Sequence, residues 1–182
     1  MVAWKEIKMH TGHIVLIEAD SAEEAKSIVE GNLMPEEGSS WADWSDWCEL
    51  GGRWAEEFEG EKDQAVLCYD ENPLLAEAKI SKFLEFRMNF ISESIAEIEE
   101  KGFDIVTALK MYNPEGNGTP AIFPDWLSLW KVRSALEVVD GVWTPKSFVY
   151  DMSYGSTSLE EFRKRCDSAP EKQFLVMVDF HF

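Results

Sequence analysis

Phe174-Leu-Val-Met-Val-Asp-Phe-His-Phe182 is the most strand-like run in the chain. Branched and aromatic residues dominate it, no glycine or proline breaks it, and its length suits a buried strand better than a helix. Side chains alternate across a strand, so Met177, Asp179 and His181 share one face while Val178 and Phe180 share the other. A carboxylate and an imidazole projecting together can form an acid–base pair; the competing reading is a polar strand end that water reaches. His13-Ile-Val-Leu-Ile17 is a second run of the same kind. It is the natural neighbour, which predicts a terminal strand at the sheet centre beside the first.

Outward from these two runs, the weak alternation of residues 3–9 and the turn-like His10-Thr11-Gly12 predict an opening hairpin. Asp20-Ser21 offers a helix cap before Ala22, Ala25, Ile28 and Val29, with Gly31-Asn32 as the stop. Gln64–Tyr69 reads as a second central strand. Asn72-Pro73 then opens the longest helix, over about residues 74–101 and closing at Gly102. Its Ile80, Leu84, Met88, Ile91, Ile95 and Ile98 form a stripe that Phe83, Phe86 and Phe90 widen, enough to cover a sheet and a further element. Phe103–Met111 is a mixed strand reading, and residues 113–120 have loop composition. Pro124-Asp125-Trp126 opens another helix to about Val139. The proline within residues 142–150 suits an edge strand or a bulge rather than a sheet centre, and Ser158-Leu-Glu-Glu161 matches a capping box ahead of a helix ending near Cys166. Together these predict one α+β domain over residues 1–182, a ferredoxin-like sheet with helices packed on one face and a Trp-rich elaboration.

The formal charge is −18, and the region Glu18–Asp63 holds fifteen acidic residues against Lys26, Arg53 and Lys62. Phosphate contacts need clustered Lys and Arg, so direct nucleic-acid binding is not expected; a basic partner or plain solubility is. Cys48, Cys68 and Cys166 have no CxxC spacing and read as buried thiols of a reducing compartment. With no apolar run near 18 residues and no secretion-signal layout, the expectation is a soluble cytoplasmic protein without membrane contact.

The elaboration is Trp41–Trp54, WADWSDWCELGGRW, with Trp41, Trp44, Trp47 and Trp54 in one short segment. Each indole buries about 150–250 Å², so the segment either adds to the core or walls a pocket. The spacing of Trp41, Trp44 and Trp47 suggests a helical or 3-10 turn ending at Gly51-Gly52. Arg53 beside indoles can stack on a planar ligand and bond an anion through its fork, and the Gly51-Gly52 amides can approach a phosphate. Alternatively Arg53 pairs with Glu49, Glu56 or Glu57 and merely orders the loop. Nucleotide-binding, protease, hydrolase and paired CxxC motifs are absent. His10, His13 and His181 would converge near Asp179 only if the first and last strands were neighbours; they read as structural or surface histidines, and no metal or cofactor is expected.

Three segments resemble a family of small proteins of tailed bacteriophages and prophages. They are Trp44-x-x-Trp47 with Gly51-Gly52-Arg53-Trp54, the Thr144–Val149 segment TPKSFV, and the terminal Val178-Asp179-Phe180-His181. Cys48 and the strong acidity depart from the usual pattern. The resemblance implies a viral origin and an αβ sandwich, with no activity attached. The resulting expectation is a non-enzymatic, counter-defence binding protein that sequesters a small anionic or planar, nucleotide-like ligand. The candidate ligand-binding residues are Arg53, Trp54, Trp44, Trp47, Gly51, Gly52, Lys146, Asp179 and His181. The other expectation is an acidic inhibitor that mimics nucleic acid on a basic surface of a host enzyme.

Overall fold

The structure is a computed structural model and describes residues 10–33, 45–54, 65–102, 126–139 and 147–181. In chain order these form β1 (His10–Glu18), α1 (Ala22–Leu33), β2 (Trp47–Leu50), β3 (Val66–Cys68), α2 (Pro73–Glu100), α3 (Trp126–Val139), β4 (Val149–Asp151), α4 (Glu160–Ser168) and β5 (Gln173–His181). The fold is α+β.

β5 is central, as its composition predicts. It runs antiparallel to β1 along its whole length, with Ile14 opposite Met177 and Val15 opposite Val176. β4 adds to the other side of β1 in parallel. The free side of β5 is shared: β2 pairs with its C-terminal half and β3 with its N-terminal half. The Gly51 N–H donates to the Met177 carbonyl at 2.9 Å, and the Met177 N–H donates to the Ala65 carbonyl at 2.7 Å. β2 and β3 are therefore one edge strand interrupted by an excursion after Gly51 that returns to the same register at Ala65. The expectation of a second central strand at Gln64–Tyr69 is corrected to a short edge strand, whose Val66, Leu67 and Cys68 are only half-buried.

The one-sided helix layer is also corrected. Every residue of β5 is buried, as is nearly all of β1, and a strand with apolar side chains on both faces needs cover on both. On one face Ile14, Leu16, Leu175 and Met177 pack against Ala76, Ile80 and Phe83 of α2 and Phe162 of α4. On the other, Val15, Ile17, Val176, Val178 and Phe180 pack against Ala25, Val29 and Leu33 of α1. Each such aliphatic or aromatic side chain contributes about 1.5–3 kcal/mol when buried. The sheet order β2-β5-β1-β4 with helices on both faces makes three layers rather than the two of a ferredoxin-like sheet.

Local signals fare better within helices than between strands. The Ser21 hydroxyl accepts the Glu24 N–H at 3.2 Å at the start of α1. The helix then passes through Gly31-Asn32, where it was expected to stop, because Leu33 is fully buried under the sheet. The Asn72 carboxamide accepts the Leu75 N–H at 3.1 Å, with Pro73 in the first turn of α2. The capping box ahead of α4 is reduced to a bond from the Glu160 N–H to the Ser158 hydroxyl. His10-Thr11-Gly12 is not a turn but the start of β1, paired with Asp179–His181. The expected strand at residues 3–9, Trp41, Trp44, the Phe103–Met111 strand, the 113–120 loop and Lys146 lie outside the described residues. Cys48 and Cys166 are buried and Cys68 is half-buried; burial pushes the Cys166 thiol up to about 12. Among the described residues no helix is long and apolar enough to cross a membrane.

Candidate functional site

Directly opposed residues of paired strands project to the same face, so the registers of β2, β5 and β1 generate two rows on the α2 side of the sheet. One row is Trp47, His181 and His10; the next is Glu49, Asp179 and Gly12. The rings of the first row touch. Trp47 stacks on His181 with centroids 4.8 Å apart, and His10 meets His181 edge-on at 4.8 Å. In the second row Gly12 offers no side chain, and that absence is used. A Cβ there would lie 2.6 Å from the Trp54 indole, so the ring rests directly on the strand backbone.

The excursion after β2 delivers Trp54 to this place. Gly51 and Gly52 take φ of 72° and 52°, residues 52–54 make a single 3-10 turn, and the Trp54 N–H closes on the Gly51 carbonyl at 3.0 Å. Gly52 is needed for a second reason, because a Cβ would sit 2.5 Å from the Asp179 Cβ. The turn thus folds down onto Asp179, and the Arg53 N–H donates to Asp179 Oδ2 at 3.2 Å. Of the Gly51 and Gly52 amides that the sequence offered to a phosphate, that of Gly51 bonds the Met177 carbonyl, and the adjoining Arg53 amide bonds the Asp179 carboxylate.

Asp179 is almost wholly buried, its side chain 1% exposed. A carboxylate there requires partners, and the main one is His10, whose Nδ1 lies 3.1 Å and 3.0 Å from the two carboxylate oxygens. With Nδ1 as donor, Nε2 remains available on the far side of the ring. The Arg53 guanidinium is more distant, with Nε 4.0 Å from Oδ2, and is largely exposed. The sequence grouped Asp179 with His181, but His181 turns to the stack with Trp47, and its Nδ1 is 3.7 Å from Asp46. His13 projects to the opposite face, edge-on to Phe180 at 4.9 Å. The three histidines do not converge, and among the described residues no group of three or more His, Cys, Asp or Glu could hold a metal ion.

His10 also forms part of the wall of a pocket of about 380 Å³. Thr11, Gly12 and Trp54 continue that wall; Phe86, Asn89, Phe90 and Glu93 of α2 make the facing one, and Phe148 closes an end. Phe148 precedes β4 at φ 58°, the only positive value among described residues other than glycine. Such a backbone costs of the order of 1–3 kcal/mol at a non-glycine residue and persists only where its surroundings hold it. Here the Phe148 carbonyl accepts the Ile14 N–H at 2.8 Å, and its ring meets Phe86 at 6.1 Å. Trp54 in turn meets Phe83 edge-on at 6.4 Å. The indole nitrogen of Trp54 is buried without a hydrogen-bond partner.

Of the sequence candidates, the structure gathers Trp47, Gly51, Gly52, Arg53, Trp54, Asp179 and His181 around one end of β5. Of these, Trp54 alone lines the pocket directly. His10, Asn89, Glu93 and Phe148 escaped the sequence reading. His10 was legible in principle: once β1 and β5 pair antiparallel, the spacing His10-x-Gly12 against Asp179-x-His181 places the imidazole beside the carboxylate. Compared with protein-family models, with curated proteins and with solved structures, the chain matches none.

Proposed function

We propose that this chain is a binding protein for a small planar ligand, held between the Trp54 wall and the Phe86–Phe90 face of α2. The observation that carries this reading is the pocket itself. Its volume of about 380 Å³ falls in the range of small-molecule sites, roughly 300–1,000 Å³. Its walls are mainly aromatic, with His10, Asn89 and Glu93 as the polar groups that would orient a guest. Asp179 holds His10 through Nδ1, which fixes the orientation of the ring on the pocket wall. Arg53 supports the site from outside the lining, through its amide on Asp179.

Two neutral planar heterocycles, quinoline and adenosine, serve as probes in saturation-transfer NMR. Asn89 is exposed on α2, so Asn89→Trp fills the pocket without disturbing the core. Transfer to at least one probe in the native chain, lost in Asn89→Trp, is the expected result. Absence of transfer, or transfer indifferent to the plug, refutes the reading.

The net charge of −18 favours one second reading, an acidic surface that occupies a basic face of a nucleic-acid enzyme. Capture of such a partner would fall steeply with salt, since exposed charges are screened beyond about 8 Å at physiological ionic strength. It would also survive Asn89→Trp, which separates it from the pocket reading.

A further inference from the structure

The charges around the pocket point to the sign of its guest. Among the described residues Glu93 is the only carboxylate in the lining, and it is exposed on α2. Behind the opposite wall, Asp179 faces His10 and the Arg53 backbone, and Glu49 reaches the same turn, its Oε1 2.8 Å from where a Gly52 Cβ would lie. Two cations lie nearby. The Arg53 guanidinium lies outside the lining and faces Asp179 at 4.0 Å, and Lys82 stands 5.9 Å from the Phe86 ring centroid, one turn along α2 and also outside the lining. Among the described residues no Lys or Arg lines the pocket. Aromatic faces carry a negative quadrupole, and Trp is the strongest of them. Trp54, Phe86, Phe90 and Phe148 place four aromatic residues on the cavity wall, with the Glu93 carboxylate beside them.

We infer that the pocket selects a planar organic cation: an aromatic or amidine-like group carrying a delocalised positive charge. This inference rests on the ligand-binding reading above and specifies its charge. The Arg53 guanidinium, which in the sequence suggested an anion, is largely exposed, with its Nε 4.0 Å from Asp179, and it is not among the described lining residues. An anionic guest would meet Glu93 and an aromatic wall, both unfavourable, with no Lys or Arg among the described lining residues to offset them. A cationic guest gains from both and is drawn in by the field of a chain at −18.

The test compares three ligands of one shape by calorimetry at pH 7.5: quinoline, which is neutral there, N-methylquinolinium and quinoline-6-carboxylate. The expected order is cation, then neutral, then anion, with roughly tenfold between cation and neutral, the scale of a partly desolvated cation–π contact. Glu93→Gln should shrink that gap several-fold, and Phe90→Leu, which keeps the apolar bulk but removes the π-face, should shrink it too. Glu100→Gln, on an exposed end of α2 remote from the pocket, should leave it unchanged. If neutral and cationic forms bind equally, or the carboxylate binds tightest, the cation inference is overturned while the pocket reading stands. If a cation preference persists in full in Glu93→Gln and Phe90→Leu, the preference arises elsewhere on the acidic surface and the inference fails. If none of the three binds, the inference falls, and the pocket reading falls with it only if adenosine also shows no transfer.

Discussion

Asp151 and Asp179 are both buried carboxylates of the same sheet, but their surroundings put them to different uses. Asp151 ends β4 and is met by a full guanidinium: Arg165 Nη2 bonds both carboxylate oxygens at 3.0 Å, while its Nε bonds the Gln173 side chain at 3.0 Å. The guanidinium ties β4, α4 and β5 together, with Phe162 and Tyr154 rings 5.8 Å from its centre. Asp179 is met by an imidazole and an amide, and beyond that imidazole lies a cavity. The first carboxylate is consumed by its partner. The second holds an imidazole on the wall of a cavity, and this is the geometric difference between the two.

The largest test of this contrast is Arg165→Ala. It leaves the Asp151 carboxylate buried with its main partner gone, and breaking a buried pair from one side costs about 3–5 kcal/mol. Urea unfolding should show that loss, and a cost below about 1 kcal/mol would place Asp151 outside the framework. Gly52→Ala should follow. The added Cβ meets Asp179 at 2.5 Å from a backbone at φ 52°, and a positive φ alone costs roughly 1–3 kcal/mol for a residue with a side chain. Because the turn also carries Trp54, the variant should lose quinoline binding along with stability. Retained binding at native affinity would detach the turn from the pocket.

His10→Ala should cost less than Arg165→Ala. Asp179 keeps the Arg53 N–H and gains access to water through the pocket, so about 1–3 kcal/mol is expected, the penalty for one lost bond to a buried polar group. Equal losses in the two variants would mean that both carboxylates are structural.

The smallest effect is a pH slope. Burial pushes the Asp151 carboxyl up, more than the hydrogen bond and charge of Arg165 pull it down. The folded state then holds that proton more tightly than the unfolded chain. The contribution to stability is therefore greatest in acid and is lost as pH rises from the ordinary carboxylate value through the raised one. Asp151→Asn removes this limb, so the stability difference between variant and native protein should move towards the variant over that window. A difference that is flat, or moves the other way, would show that Arg165 outweighs burial.

The α1, α2 and α4 helices and the two long strands were legible because each is written in a local pattern: the Ile80 to Ile98 stripe, the Asn72-Pro73 start, the unbroken run Phe174–Phe180. A one-sided helix layer was expected because periodicity reports that a face is apolar, not how many faces need cover. Both faces of β1 and β5 are apolar, so α1 is required on one side and α2 with α4 on the other. Trp47 was read into a helical turn from its spacing with Trp41 and Trp44; its place in β2 follows from pairing with His181, a partner far along the chain.

The sequence by itself determined that the end of β5 carries a carboxylate and an imidazole on one face, and that Gly51-Gly52 ends the local structure of a Trp-rich segment beside Arg53. It could not assign Asp179 to His10 rather than His181. Neighbours two apart on one strand are fixed by the alternation of side chains, whereas the cross-strand diagonal from His10 to Asp179 depends on register, and a shift of two residues would satisfy the same apolar pattern. Tertiary structure decided that register, brought Trp54 onto the bare backbone at Gly12, and set Phe86, Phe90 and Glu93 of α2 across from it. The reason is physical: periodicity encodes which side of an element is buried, but a cavity is defined by where three elements fail to fill the space between them.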